Sequence, residues 1–156
     1  MWVRHYPIQR VLVLHIHRYD LDRALPEYLE AVSRHLDAIL NWTQGKSLQE
    51  LPPALGLCVS LVELHAGFNA LTTVPGEIGL CDSLAILDVR NNRISSLGEG
   101  LPMLRLSLLD LTNNNISALP SQLGQMTTLR AMPLAGNSIK SIPISVQQGM
   151  SFLLAL

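Results

Sequence analysis

The sequence predicts an α/β fold built as a solenoid, with a parallel sheet on a concave side, an irregular convex side and a capping helix at the N-terminal end. Three observations carry this. Asn69, Asn92, Asn114 and Asn137 follow one another at intervals of 23, 22 and 23 residues. Around each asparagine the apolar positions recur: eight residues before it stands Leu61, Leu84, Leu106 or Leu129; five before, Leu64, Leu87, Leu109 or Met132; three before, Ala66, Val89, Leu111 or Leu134; two after, Leu71, Ile94, Ile116 or Ile139. A second ladder, Leu51-Pro52, Val74-Pro75, Leu119-Pro120 and Ile142-Pro143, keeps the same register, with Leu97-Gly98 as its one departure.

The resulting pattern, L-x-x-L-x-L-x-x-N-x-L, is the leucine-rich-repeat signature. Gly56-Leu57-Cys58-Val59-Ser60-Leu61 and Gly79-Leu80-Cys81-Asp82-Ser83-Leu84 match at an offset of 23, which carries the array upstream into a degenerate copy starting near Ala38. The expected organisation is an N-terminal cap over 1–37 (short strand and helix), about five repeats over 38–151 and a C-terminal cap segment over 152–156. A chain of 156 residues can bury roughly 68–70% of its unfolded surface, so this fold needs neither disulfide nor metal.

From the N-terminus, the run Val11 to Ile16 reads as a short strand. Leu25, Tyr28, Leu29, Val32, Leu36, Ile39 and Leu40 recur at helical spacing from Pro26, with Glu27, Glu30, Arg34 and Asp37 on other faces, which predicts the capping helix. Leu40-Asn41-Trp42 follows as a first strand, bulged near Gly45. Within each repeat strand, period-two alternation sends Leu87 and Val89 inward and Ile86, Asp88 and Arg90 outward. The asparagine closing each strand satisfies backbone groups where the chain turns, and its copies form a ladder. The Leu-Pro step keeps the preceding residue extended and favours a short convex return over a long helix. The copy from Leu84 to Arg105 is one residue short and carries Gly98, Gly100 and Pro102, so its convex side is expected to be irregular. Pro133 falls inside the last strand, which predicts a sheet edge with the proline nitrogen turned to an unpaired side. Met150, Phe152, Leu153, Leu154 and Leu156 are expected to cover the last repeat.

Composition narrows function. Eleven Lys plus Arg stand against twelve Asp plus Glu, for a net charge of −1, so no basic stripe supports a nucleic-acid or membrane partner. The apolar run from Val11 to Leu14 is stopped by His15, His17 and Arg18, and neither a membrane span nor a signal peptide is expected. Two cysteines in a Leu-rich chain suit a reducing compartment, which predicts a cytoplasmic location.

Leu51-Pro52-Pro53-Ala54-Leu55-Gly56 and Leu119-Pro120-Ser121-Gln122-Leu123-Gly124 resemble the intracellular Ras-group repeats, a family that includes the Ras suppressor, the scribble-type scaffolds and the plant intracellular Ras-group proteins. The resemblance covers roughly residues 38 to 156. It implies a cytosolic or nuclear protein-binding solenoid without catalysis.

Motifs with chemical potential are few. Gly45-Lys46-Ser47 lacks the first glycine of a phosphate loop, since that position is Leu40. His15 and His17 could join His5 or His35, yet no cysteine or carboxylate stands at metal-ligand spacing, and neither metal nor cofactor is expected. Cys58 and Cys81 should stack in adjacent repeats as reduced, buried thiols. The outward strand positions form three concave columns: Glu63, Ile86, Leu108, Ala131; His65, Asp88, Asp110, Pro133; and Gly67, Arg90, Thr112, Ala135. Asp88 and Asp110 should lie about 4.8 Å apart on neighbouring strands, a like-charge pair that calls for compensation by Arg90 or His65. Glu63, His65, Ile86, Asp88, Arg90, Leu108, Asp110 and Thr112 are therefore the expected partner-binding residues, and Asn69, Asn92, Asn114 and Asn137 the structural ladder. The function so predicted is a non-catalytic protein-interaction module whose partner is a protein, the molecule itself being a monomer or a weak homo-oligomer through its ends. An assembly or autoinhibitory subunit using the apolar C-terminal end is the second reading. A weak hydrolase built on His65, Asp88 and Asp110 is a distant third.

Overall fold

The computed structural model describes residues 2–6, 11–15, 48–51, 53–59 and 61–150. The strands are β1 (Trp2–Tyr6), β2 (Val11–His15), β3 (Leu61–His65), β4 (Thr73–Val74), β5 (Ile86–Asp88), β6 (Ser96–Leu97) and β7 (Leu108–Asp110). Five of them form one sheet in the order β1-β2-β3-β5-β7, and β4 pairs with β6 in a second, two-stranded sheet. From β2 onward the large sheet is parallel, whereas β1 returns antiparallel to β2. Leu108 also bridges Ala131 in parallel, which continues the sheet one repeat further.

The repeat positions explain the core. Leu61, Leu64, Leu84, Leu87, Leu106 and Leu109, at the first two apolar positions of each repeat, are fully buried. The convex return supplies the opposing layer from Leu55, Ile78, Leu101 and Leu123, one residue per repeat, each completely enclosed. Every copy thus closes a flat ring of apolar side chains over the next, so stability accrues between neighbours. At the C-terminal end the rings are incomplete: Leu134, Ile139 and Ile142 are only partly buried against the core.

The proline ladder sets the convex return. Pro75, Pro120 and Pro143 hold extended backbone, with ψ of 148°, 133° and 142°. The chain then winds into single 3-10 turns at Gly76–Leu80 and Ser121–Gln125, or into the six-residue α-helix Ile144–Gly149 in the last copy. The copy without this proline has a three-residue 3-10 turn, Leu101–Met103. A Cβ at Gly98 would run into the carbonyl oxygen of Val74, and one at Gly100 into that of Gly76. The shortened copy therefore brings two backbones together where proline, or any side chain, has no room.

Two expectations change. The position beside β3 is held by β2, with Leu14 opposite Leu64 and His15 opposite His65; Leu40-Asn41-Trp42, the capping helix, Gly45-Lys46-Ser47, His17, His35 and residues 152–156 lie outside the described residues. Pro133 does sit on the last strand-like segment, but its carbonyl accepts from Leu111 N at 3.0 Å. In a parallel pair the nitrogen and carbonyl of one residue face the same neighbour. The proline nitrogen therefore faces β7, not an unpaired side, and the ladder loses its return bond there.

Candidate functional site

Constant spacing from the strand to the ladder asparagine brings equivalent residues into register across the concave face. Glu63 pairs with Ile86 and Ile86 with Leu108; His65 pairs with Asp88 and Asp88 with Asp110. The third column follows through Phe68 N to Arg90 O (3.0 Å), Asn91 N to Thr112 O (2.8 Å) and Asn113 N to Ala135 O (2.7 Å).

The side chains along these columns are unequal. Asp88, expected to face solvent, is only 8% exposed. Its Oδ1 accepts from the backbone N–H of Arg90 at 3.2 Å, while Oδ2 lies 3.6 Å from both Arg90 Nε and His65 Nδ1. His65 in turn approaches Glu63 Oε2 through Nε2 at 3.1 Å. The cause of this burial is Gly67: a Cβ there would lie 3.2 Å from Arg90 Cγ and 3.4 Å from Asp88 Oδ1. With no side chain at 67, the arginine can lie back across the end of β3 and cover the carboxylate. Asp110 is built differently. Its Oδ1 accepts from Thr112 N at 2.9 Å, it stays half-buried, and among the described residues it has no cationic partner.

Behind this face the asparagines tie repeat to repeat. Asn92 Nδ2 donates to the carbonyls of Ala66, Val89 and Arg90, and its Oδ1 accepts from Leu71 N at 2.9 Å. Asn114 repeats the set with Val89, Leu111 and Thr112, and accepts from Ile94 N at 3.0 Å. Asn137 accepts from Ile116 N, and Asn69 from Leu48 N. The residue before each ladder asparagine has a positive φ: Phe68 at 59°, Asn91 and Asn113 at 53°, Gly136 at 71°. Sequence reasoning passed over Phe68, although its place in the turn column, beside Asn91, Asn113 and Gly136, was visible in the period.

Cys58 and Cys81 are unbridged and buried. Burial pushes both thiols up; Cys81 reaches about 11, with Cys58 and Asp82 nearby adding to the effect. Cys81 Sγ donates to Leu55 O at 3.1 Å. Among the described residues no group of three or more His, Cys, Asp or Glu could hold a metal ion, and no helix is long and apolar enough to cross a membrane. A cavity of about 610 Å³ opens at the C-terminal end, lined by Leu134, Ile139, Lys140, Ile142 and Gln147 among others.

Comparison with known proteins agrees with this architecture. Residues 82–139 match the leucine rich repeat family model. The chain is 30% identical to mouse podocan-like protein 1 over 140 residues, which is 86% of this chain and 24% of that protein. It is 26% identical to the TMV resistance protein N of Nicotiana glutinosa, covering 81% of this chain and 14% of the relative. A solved leucine-rich-repeat protein of Leptospira interrogans superposes with a TM-score of 0.56 at 27% identity, over 65% of this chain and 32% of that one. The chain thus spans about a quarter or less of the two sequence relatives, and its described residues form a leucine-rich-repeat solenoid.

Proposed function

We propose that this solenoid is a non-catalytic protein-interaction module whose partner lies on the concave sheet. The observation that carries the reading is the in-register concave row, an open parallel face on which His65, Asp88 and Asp110 stand side by side. Glu63, Ile86, Arg90, Leu108 and Thr112 complete the surface. Leucine-rich repeats commonly bind proteins along this side, since each repeat adds one strand to an extended concave face. His65 lies between two carboxylates, with Glu63 Oε2 3.1 Å from Nε2 and Asp88 Oδ2 3.6 Å from Nδ1, so the row presents a linked polar surface to a partner. The Leu-Pro and Leu-Gly spacing supports repeats of the intracellular Ras-group type. The runs 109–116, 126–130 and 136–137 resemble the C-terminal repeats of leucine-rich-repeat-containing protein forty. Two unbridged, buried thiols support a reducing compartment, the cytoplasm or nucleus.

A second reading, assembly through the C-terminal end, is favoured by one observation: Leu134, Ile139 and Ile142 are incompletely buried and line the terminal cavity. Site-specific photo-crosslinking in cells separates the two. A photoreactive residue at Leu108 should capture a partner that the same residue at Met103, 78% exposed on the convex side, does not. Capture from Ile139 but not Leu108 would transfer the function to the end of the solenoid, and equal capture from Met103 would refute the concave reading.

A further inference from the structure

Phe68 occupies a position that the fold by itself would give to another residue. The turn before each ladder asparagine needs a positive φ, and the other three copies meet that need with Asn91, Asn113 and Gly136. Glycine enters this region freely and asparagine readily, whereas a bulky side chain is strained there. Burial does not compensate, because Phe68 remains 52% exposed. Strain of this kind in an exposed aromatic residue points towards use rather than structure.

The ring also has a charged neighbour. The Arg90 guanidinium lies 5.6 Å from its centroid, and the same arginine is fixed from below by Asp88 at 3.6 Å. One face of the ring thus meets the guanidinium, and its exposed area borders the column of Gly67, Arg90 and Thr112. Aromatic side chains are enriched where proteins bind one another, because a large apolar area is covered at the loss of few rotatable bonds.

The charges name the partner's chemistry. From β3 onward the concave columns hold Glu63, Asp88 and Asp110 against one permanent cation, Arg90. Asp88 has the Arg90 guanidinium 3.6 Å away and Glu63 has the His65 ring at 3.1 Å, whereas Asp110, on the same face, has no basic group beside it among the described residues. It lies two strands from Phe68 and three positions back along the strand, roughly 10–14 Å away, the span of three or four extended residues.

We infer that Phe68 is the anchor of this interaction surface, and that the partner is a polypeptide segment bringing an apolar side chain to the free ring area and a lysine or arginine to Asp110. The inference rests on the concave-face reading above and adds its anchor and the sign of its partner.

A phage-displayed library of random twelve-residue peptides, panned on the full chain, tests it. The recovered peptides should carry Lys or Arg three or four residues from an aromatic or aliphatic residue. Their affinity should fall at least tenfold on Phe68→Asn and on Asp110→Lys, and survive Phe68→Tyr. Phe68→Asn should melt at a higher temperature than the wild type, because asparagine suits the turn, so the lost binding cannot be ascribed to unfolding. Acidic peptides, or peptides that bind Phe68→Asn as tightly as wild type while still failing on Asp110→Lys, would overturn the anchor and leave the concave reading standing. Peptides indifferent to both substitutions, or a library yielding no binder, would overturn both.

Discussion

Asn114→Ala is the sharpest test of the repeat architecture. Asn114 is 5% exposed and its side chain makes four bonds, three from Nδ2 and one to Oδ1. The most consequential is the last, because Ile94 N–H is a donor inside the solenoid and alanine leaves it without an acceptor. An unsatisfied buried group costs about 1–3 kcal/mol. The carbonyls of Val89 and Leu111 lose one of two amide donors and keep Asn92 and Asn137, so the sum should be about 2 kcal/mol. For a chain of this length that is a fall of roughly 4–8 °C in Tm. The neighbours supply the controls. Asn113 is exposed and makes one side-chain contact, with Asn91 at 3.0 Å; Asn113→Gly keeps the turn at positive φ and should stay within about 0.5 kcal/mol. Asn115 is exposed, and Asn115→Ala should behave likewise. Urea unfolding followed by circular dichroism gives the midpoints, compared at equal slope. Equal midpoints for Asn114→Ala and Asn113→Gly would mean that the ladder is misassigned by a residue.

Cys58 and Cys81 should react slowly with a thiol reagent at neutral pH in the folded protein and rapidly in urea, because burial keeps both protonated. Cys81 binds its proton more tightly folded, at about 11 against an ordinary 9.0. Its contribution to stability is therefore full below the ordinary value and lost as pH rises from there through about 11, and Cys81→Ala should flatten the alkaline fall of the urea midpoint. On the convex side, Gly100→Ala would press a Cβ against the Gly76 carbonyl and should cost about 1–3 kcal/mol. Gly76→Ala, whose nearest neighbour would be 3.9 Å away, should leave the melting temperature nearly unchanged; equal losses would refute the close backbone approach.

What could be read in advance was what the copies share. Leu64, Leu87, Leu109 and Met132 stand at one position of one period, so each supports the assignment of the others, and parallel strands of matched length then pair like with like. The columns Glu63–Ile86–Leu108 and His65–Asp88–Asp110 follow from that alone. Outcomes that depend on one copy's neighbours were hidden. The burial of Asp88 needs Arg90 to fold back, and Arg90 can do so only because residue 67 of the preceding copy has no side chain. β2 lies beside β3 although the run from Val11 to His15 has no ladder asparagine to mark it.

The same reasoning locates function within the molecule. Side chains that close the apolar rings are constrained by two neighbours each, and the four copies agree there. Concave side chains meet no such constraint, so their differences carry information that the core positions cannot. Read along the turn column, Asn91, Asn113 and Gly136 satisfy the backbone and Phe68 does not; along the central column, Asp88 is neutralised by its neighbours and Asp110 is not. Both departures lie on one face, two strands apart, and neither fills the apolar rings. A solenoid that needed only to fold would carry asparagine or glycine at 68 and asparagine at 110, which keeps an acceptor for the Thr112 N–H without the charge, and that variant should be the more stable and the poorer binder.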